Sequence, residues 1–329
     1  MAKPIVHVLT TGGTIAGRAQ PGGEVAPGLT ADELLAPIPE ARASADVIVT
    51  DVFNLPSASM GWPELLTLAR TARDIFKNPN VAGIVITHGT GRMEQAAYFV
   101  DLLHDDERPV VFTGAMRNPT LPSADGAFNL LSAIRTAADP KSRGLGVLVV
   151  MIGLIHAAAS VNKLQGGRLD AFQSPEFGPL GALDEDYVFY GRRPYHRIPA
   201  LPLPEQITAR VQRIPPGIDQ AEGILDAVIG AGVDGLIFES GRFMPERLAR
   251  VEAALDRGIA VVLCNPYLTG RLPRNTYRHQ GGESHLLEIG VIFSGTNALK
   301  AQAKLTLALS AGLPPAAVRE SFHQEWYLD

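Results

Sequence analysis

The sequence predicts an α/β protein: a larger N-terminal domain on a doubly wound, mostly parallel sheet, followed by a smaller C-terminal α/β domain. Three observations carry this. Short apolar runs, read as buried strands, alternate with stretches of helical period. Several of the runs end in turns of glycine and threonine, at the edge where open α/β sheets bind ligands. A proline- and arginine-rich stretch without helical period then separates two sets of alternating elements. The expected division is residues 1–190 for the first domain, 191–216 for a linker and 217–329 for the second domain.

Taken in order, Ile5-Val6-His7-Val8-Leu9 reads as a first buried strand. It runs into Thr10-Thr11-Gly12-Gly13-Thr14-Ile15-Ala16-Gly17, around which the rest of the chain is organised. Two glycines permit backbone angles closed to other residues and let a ligand approach the main chain. Threonine stands where a G-x-G-x-x-G loop needs its second glycine, and no Gly-Lys-Ser/Thr follows, so neither nucleotide loop fits. Residues 18–28, rich in glycine and proline, read as a loop beside the site, either a lid or a plain connection. Val47–Val52 is a second strand, and Asn54–Met60 a loop of small polar residues. Pro63 opens an amphipathic helix.

Gly83–Thr87 then runs into His88-Gly89-Thr90-Gly91-Arg92-Met93-Glu94, repeating the design of the first turn. Pro109–Thr113 leads likewise into Gly114-Ala115-Met116-Arg117, and Asp125-Gly126 starts a helix. Gly146–Met151 is the next strand. The pattern loosens from Ala157 to Gly167, a stretch containing Lys163. Beyond the linker, helices at Ala221–Ile229 and Pro245–Arg257 alternate with strands at Gly235–Phe238, Ala260–Cys264 and Gly290–Phe293. A final helical stretch follows Ser294-Gly295-Thr296.

Composition narrows the classes. The chain has 329 residues, is 46% hydrophobic and 19% charged, and carries a net charge of −5 without a Lys/Arg block. A nucleic-acid partner is therefore not expected. No stretch reaches the roughly 18 apolar residues of a membrane span, and the chain starts directly into a strand without a basic-then-apolar leader. A cytoplasmic location and no membrane partner are expected. The single cysteine, Cys264, lies in an apolar run and reads as a buried small residue. The histidines are scattered, with none at metal-ligand spacing. No Gly-x-Ser-x-Gly elbow is present.

A threonine hydroxyl attacks only when something takes its proton. The first half offers Thr14 and Thr90 on two glycine turns, and Lys163 among small and polar residues. A lysine with a lowered pKa can act as base to a hydroxyl, and backbone N–H groups at helix-starting turns can hold an oxyanion. Taken one at a time, the structural alternatives stay open: a packed or capping threonine, a solvated lysine.

Thr11–Gly17 together with Ile86-Thr87-His88-Gly89-Thr90 resembles the two signatures of bacterial-type L-asparaginases. The resemblance continues through Gly114–Arg117, Ser123–Leu130, Gly144–Met151, Ser174–Gly181 and Ser294–Thr296, and so spans nearly the whole chain. It implies hydrolysis of a side-chain amide through an acyl-threonine, without metal or organic cofactor. It also implies a homo-oligomer, a dimer of dimers with sites between subunits. By the same resemblance Thr14 is the nucleophile, and Thr90 and Lys163 belong to a second catalytic group. Gly13, Ser57, Ala58, Gly89, Gly91 and Ala115 fall on the substrate-binding turns.

The sequence also departs from the family pattern. Gly91 stands where the second signature has an aspartate, residues 18–28 contain no tyrosine, and Ala58-Ser59 replace Gln-Asp. Gly241-Arg242-Phe243 falls on a loop that is usually rich in glycine and asparagine. A charge-assisted hydrogen bond to an ammonium contributes about 1.5–3 kcal/mol. Its loss weakens selection for a free amino acid by roughly one to two orders of magnitude. Polar contacts around the α-amino group have changed together while Thr14, Thr90 and Lys163 remain. The expected substrate is thus an amide or cyclic imide lacking a free α-amino group, with Arg18 or Arg242 as candidate contacts for an anionic substrate. The alternatives are an ordinary L-asparaginase/glutaminase, or a catalytically silent ligand-binding protein of the same fold.

Overall fold

The structure is a computed structural model that describes residues 2–19, 25–29, 31–194, 197–217 and 222–325. It divides into two compact units, Met1–Ala200 and Leu201–Asp329. Residues 20–24 of the expected lid, 195–196 of the expected linker and Ala221 at the start of an expected helix lie outside the described residues.

The first unit is built on an eight-stranded mixed sheet. Its strands in chain order begin with β1 (Ile5–Thr10); β2 (Gly17–Ala19) and β3 (Val25–Pro27) pair as a separate short hairpin, so the arms of the glycine-rich loop are extended. There follow β4 (Asp46–Asp51), β5 (Val81–Thr87), β6 (Val110–Thr113), β7 (Val147–Met151) and β8 (Leu154–Ala157). β9 (Asn162–Lys163) and β10 (Phe172–Gln173) pair with each other, and β11 (Gly181–Asp184) and β12 (Tyr187–Tyr190) complete the unit. The order across the large sheet is β12-β11-β8-β7-β6-β5-β1-β4. Strands β4, β1, β5, β6 and β7 run parallel, and β8, β11 and β12 extend the sheet antiparallel.

The helices of this unit are α1 (Ala31–Leu35), α2 (Pro39–Ser44), α3 (Trp62–Ile75), α4 (Met93–Asp101) and α5 (Gly126–Ala138). Alternate strand residues Val6, Val8, Val85, Val111, Leu148 and Val150 pack with Leu130, Ala133, Ile134 and Ala137 of α5 and with Leu34, Leu35 and Ala41. Their neighbours Ile84, Ile86 and Phe112 are fully buried as well and by the period of two point to the opposite face. There α4 lies against β6 and β7, and α3 packs on α4. Burial on both faces explains why the strands read as continuous apolar runs.

The expectation of a loosening pattern after β7 understated the sheet. Met151 and Leu154 close a two-residue hairpin whose central residues Ile152 and Gly153 have φ 45° and 74°, the sign that a tight antiparallel hairpin requires. β8, β11 and β12 are short and only partly buried, so they lack the apolar signature of the central strands.

The second unit carries β13 (Val211–Ile214), α6 (Glu222–Gly230), β14 (Gly235–Glu239), α7 (Pro245–Asp256), β15 (Ala260–Cys264), α8 (Glu283–Glu288), β16 (Ile292–Phe293), α9 (Ala298–Ser310) and α10 (Pro315–His323). Its four strands are parallel in the order β13-β14-β15-β16. Residues 191–216, read from sequence as linker, thus include the edge strand of this sheet. β13 is half exposed and is followed by prolines, which hides a strand from a periodicity reading. Cys264 is fully buried at the end of β15, and burial pushes its thiol well above the ordinary range. Among the described residues no helix is long and apolar enough to cross a membrane.

Candidate active site

Four strand ends of the first unit meet at the carboxyl edge of its parallel strands. Past β1, the Thr11 hydroxyl donates to the Thr87 carbonyl at 2.7 Å, tying the first turn to the end of β5. Gly13 has φ 82° and ψ −176°, a conformation essentially confined to glycine. A Cβ on Gly13 would lie 2.7 Å from both Cα and N of Gly89, so the first and second turns touch backbone to backbone. Thr14, next along, opens a 3₁₀ turn, Thr14–Ala16, whose Ile15 and Ala16 are buried while Thr14 itself is half-buried.

Ser57 comes from a 3₁₀ turn, Ser57–Ser59, that follows β4. A Cβ on Gly89 would meet Ser57 Cβ at 2.8 Å, and one on Gly91 would meet Ser57 Oγ at 3.0 Å. The serine therefore lies over both glycines of the second turn. Ala58 and Ser59 of the same turn are exposed. The third turn, after β6, packs behind the second: a Cβ on Gly114 would lie 2.4 Å from the His88 carbonyl oxygen and 3.3 Å from Thr90 Cγ2.

Ala115 is buried on this third turn. Its loop is clamped by Asp125, the N-cap residue of α5, whose carboxylate accepts the N–H groups of Met116 (3.0 Å) and Arg117 (2.9 Å). Buried Asn129 donates to that carboxylate and to the Gly114 carbonyl, both at 2.9 Å, and accepts the N–H of Ile152 at 2.8 Å. The strained hairpin residue and the site loop are thus held by one side chain. No spacing in the sequence marks this clamp.

The polar centre is a hydroxyl–amine pair. Lys163 Nζ lies 2.8 Å from Thr90 Oγ1, across 73 residues of chain. Thr90 is buried and Lys163 half-buried. Burial lowers the Lys163 pKa below the usual lysine range, and the charge of Glu94 opposes that shift. Glu94, in the first turn of α4, also accepts the backbone N–H of Lys163 through Oε2. His88 lies just behind. Its Nδ1 donates to the Gly89 carbonyl at 2.8 Å, its own N–H donates to the Thr113 carbonyl, and burial holds its pKa at about 4, so the ring is neutral at pH 7.

The structure thus brings Gly13, Ser57, Gly89, Thr90, Gly91 and Ala115 onto one set of adjoining turns, with Thr14 following Gly13, and sets Nζ of Lys163, from β9, against Thr90. Arg18 pairs with Glu33, so its guanidinium is already engaged within the chain. Arg242 is an exposed residue of the second unit, and its carbonyl accepts the Ser240 hydroxyl at 3.0 Å. Among the described residues no three His, Cys, Asp or Glu side chains converge as a metal site. Glu94 and the Asp125–Asn129 clamp are the site residues that sequence reasoning missed.

These features define a class: a two-domain α/β protein with a cluster of polar groups at the carboxyl edge of a mixed sheet. Comparison with known proteins narrows it. The family model described as Asparaginase, N-terminal matches residues 5–196, and that described as Glutaminase/Asparaginase C-terminal domain matches residues 211–322. The chain belongs to the asparaginase family, whose members hydrolyse C–N amide bonds. Among its relatives, the L-asparaginase of Bacillus licheniformis is 32% identical over 93% of this chain and 95% of the relative. L-asparaginase 2 of Escherichia coli is 33% identical over 98% and 94%. The crystal structure of a probable cytoplasmic L-asparaginase from Campylobacter jejuni matches with a TM-score of 0.85 at 29% identity, covering 97% of this chain and 99% of that one.

Proposed function

We propose that the protein hydrolyses a side-chain amide through an acyl-enzyme on Thr14. The observation that carries this reading is the 2.8 Å contact between Lys163 Nζ and Thr90 Oγ1, on the turn whose Gly89 touches Gly13. When Lys163 is neutral, the Thr90 O–H donates to the amine, and the pair can accept the proton that Thr14 gives up. Thr14 Oγ then attacks the amide carbon, with turn N–H groups holding the oxyanion. The proton passes to the leaving nitrogen, ammonia departs and an acyl-threonine ester remains. Water attacks that ester, releasing a carboxylic acid and restoring Thr14. The lowered Lys163 pKa supports the role, because it enlarges the neutral fraction near pH 7.

The substrate class in this reading is an amide or cyclic imide without a free α-amino group. Gly91, Ser57, Ala58 and Ser59 contribute no carboxylate to pair with an ammonium. A second reading, L-asparagine itself, is favoured by the relatives named as L-asparaginases and would draw a carboxylate from elsewhere in the assembly. We further read the protein as a cytoplasmic homo-oligomer, a dimer of dimers, which sedimentation would test.

The deciding experiment is ammonia release by wild type and Thr14→Ala from L-asparagine, L-glutamine, succinamate and glutaramate. Ring opening of a cyclic imide is followed separately, since it frees no ammonia. Thr14-dependent turnover of the deaminated amides or the imide is expected. Turnover of L-asparagine alone would replace the first substrate reading by the second, and undiminished turnover by Thr14→Ala would overturn the acyl-threonine.

A further inference from the structure

Lys163 sits on a weak support. Strand β9 has two residues and pairs with the two residues of β10, Lys163 opposite Phe172 and Asn162 opposite Gln173, with one more bond from the Leu164 N–H to the Ala171 carbonyl at 2.8 Å. So short a hairpin does not by itself hold the end of a long, flexible side chain in one place. The backbone N–H of Lys163 instead donates to the Glu94 carboxylate. Glu94 is nearly fully buried and stands four residues after Thr90. One carboxylate therefore joins the hairpin that carries the amine to the helix whose leading turn carries its hydroxyl partner.

The charges around the amine are few. From its own hairpin, Arg168 and Asp170 pair with each other at the surface. From the second turn, Gly91 has no side chain, Arg92 donates to the Met60 carbonyl at 3.1 Å, and His88 is neutral. The ring of Phe172 lies 5.9 Å from Nζ. The charge of Glu94 raises the Lys163 pKa against the larger lowering by burial.

We propose that Glu94 is a positioning residue, which anchors the Lys163 backbone through its carboxylate so that Nζ stays on Thr90 Oγ1, and whose negative charge favours the protonated amine. The proposal rests on the reading of Thr90 and Lys163 given above. It assigns Glu94 two separable tasks. As an acceptor it fixes where the lysine starts, and as a charge it tunes how readily the lysine gives up its proton. A first-turn glutamate serving only to complement the helix dipole would need neither.

Glu94→Gln separates the two tasks, because the amide oxygen still accepts the Lys163 N–H while the charge is gone. The chain has six lysines, Lys3, Lys77, Lys141, Lys163, Lys300 and Lys304, so a pH titration of protein labelled with ¹³C at lysine Cε resolves them, with Lys163→Met giving the assignment. Loss of the carboxylate's charge should lower the Lys163 midpoint, and the acidic limb of kcat/KM for succinamate or L-asparagine should move the same way. Glu94→Asp, which restores the charge, should return the midpoint toward wild type, with a lower kcat from the shortened anchor. A Glu94→Gln midpoint equal to wild type would overturn the proposal while leaving the Thr90–Lys163 reading intact. Full turnover by Lys163→Met would overturn that reading, and with it the role of Glu94. The NMR titration does not depend on turnover, so the two failures are distinguishable.

Discussion

Replacing Gly13 by alanine tests whether the contact between the first two turns builds the site. The added Cβ would lie 2.7 Å from Cα and N of Gly89, both backbone atoms that cannot swing aside. Relief to the 3.4 Å of ordinary contact requires the turns to part by about 0.7 Å. Alanine must also adopt φ 82° and ψ −176°, at a strain of about 1–3 kcal/mol. Overpacking adds a similar amount, so the expected destabilisation is about 2–6 kcal/mol. For a domain of this size that is a fall in Tm of roughly 5–20 °C. Thr14 follows Gly13 directly, and a misplacement approaching 1 Å can cost on the order of 100-fold in rate. We expect kcat for amide hydrolysis to fall by about 10–100-fold even below the lowered melting temperature. Thermal melts and ammonia release on the same samples give both numbers. Gly166→Ala serves as control, since a Cβ there meets nothing within 4 Å. If Gly13→Ala melts and turns over like that control, the two turns do not define the site.

Two other perturbations have calculable signs. Burial holds His88 at about 4 against 6.5 in the unfolded chain, so between those values the unfolded state binds more protons. Stability is then full above pH 6.5 and is lost as pH falls toward 4, by up to about 3 kcal/mol from this residue. His156, held at about 4 by burial and then by Arg192, adds a loss of the same sign. Urea midpoints across this window should show a shallower slope in His88→Gln than in wild type, and an unchanged slope would refute the assignment. In the second unit, Lys304 Nζ pairs at 2.9 Å with Glu325, whose other oxygen accepts the Ser294 hydroxyl and the Gly295 N–H. Both partners are buried, so Lys304→Met strands a carboxylate and should destabilise by about 3–5 kcal/mol. Adding Glu325→Gln should recover part of that loss in a thermal melt.

The resemblance read from the glycine turns agrees with the family models and with the relatives over nearly the whole chain. Local pattern was enough for the central strands and for α3 and α5, because burial on both faces makes the strands apolar and helix ends carry their own signals, Pro63 and Asp125. It failed at β8, β11, β12 and β13, which are short, half exposed and joined by tight turns or prolines, so that pairing partners rather than composition make them strands.

The same division runs through the site. The sequence by itself determined which chemical groups exist, Thr14, Thr90 and Lys163, and that Gly91 brings no carboxylate. Why glycine is needed at positions 13 and 89 came from tertiary contacts, since a Cβ on Gly13 would meet the Gly89 backbone and one on Gly89 would meet Ser57. Tertiary structure alone decided that Lys163, 73 residues from Thr90, reaches its hydroxyl, and that Glu94 and the Asp125–Asn129 clamp fix the elements around it. The reason is physical. Periodicity and turn chemistry act over a few residues, whereas these contacts depend on strand order and on which buried polar groups find each other once the sheet has formed.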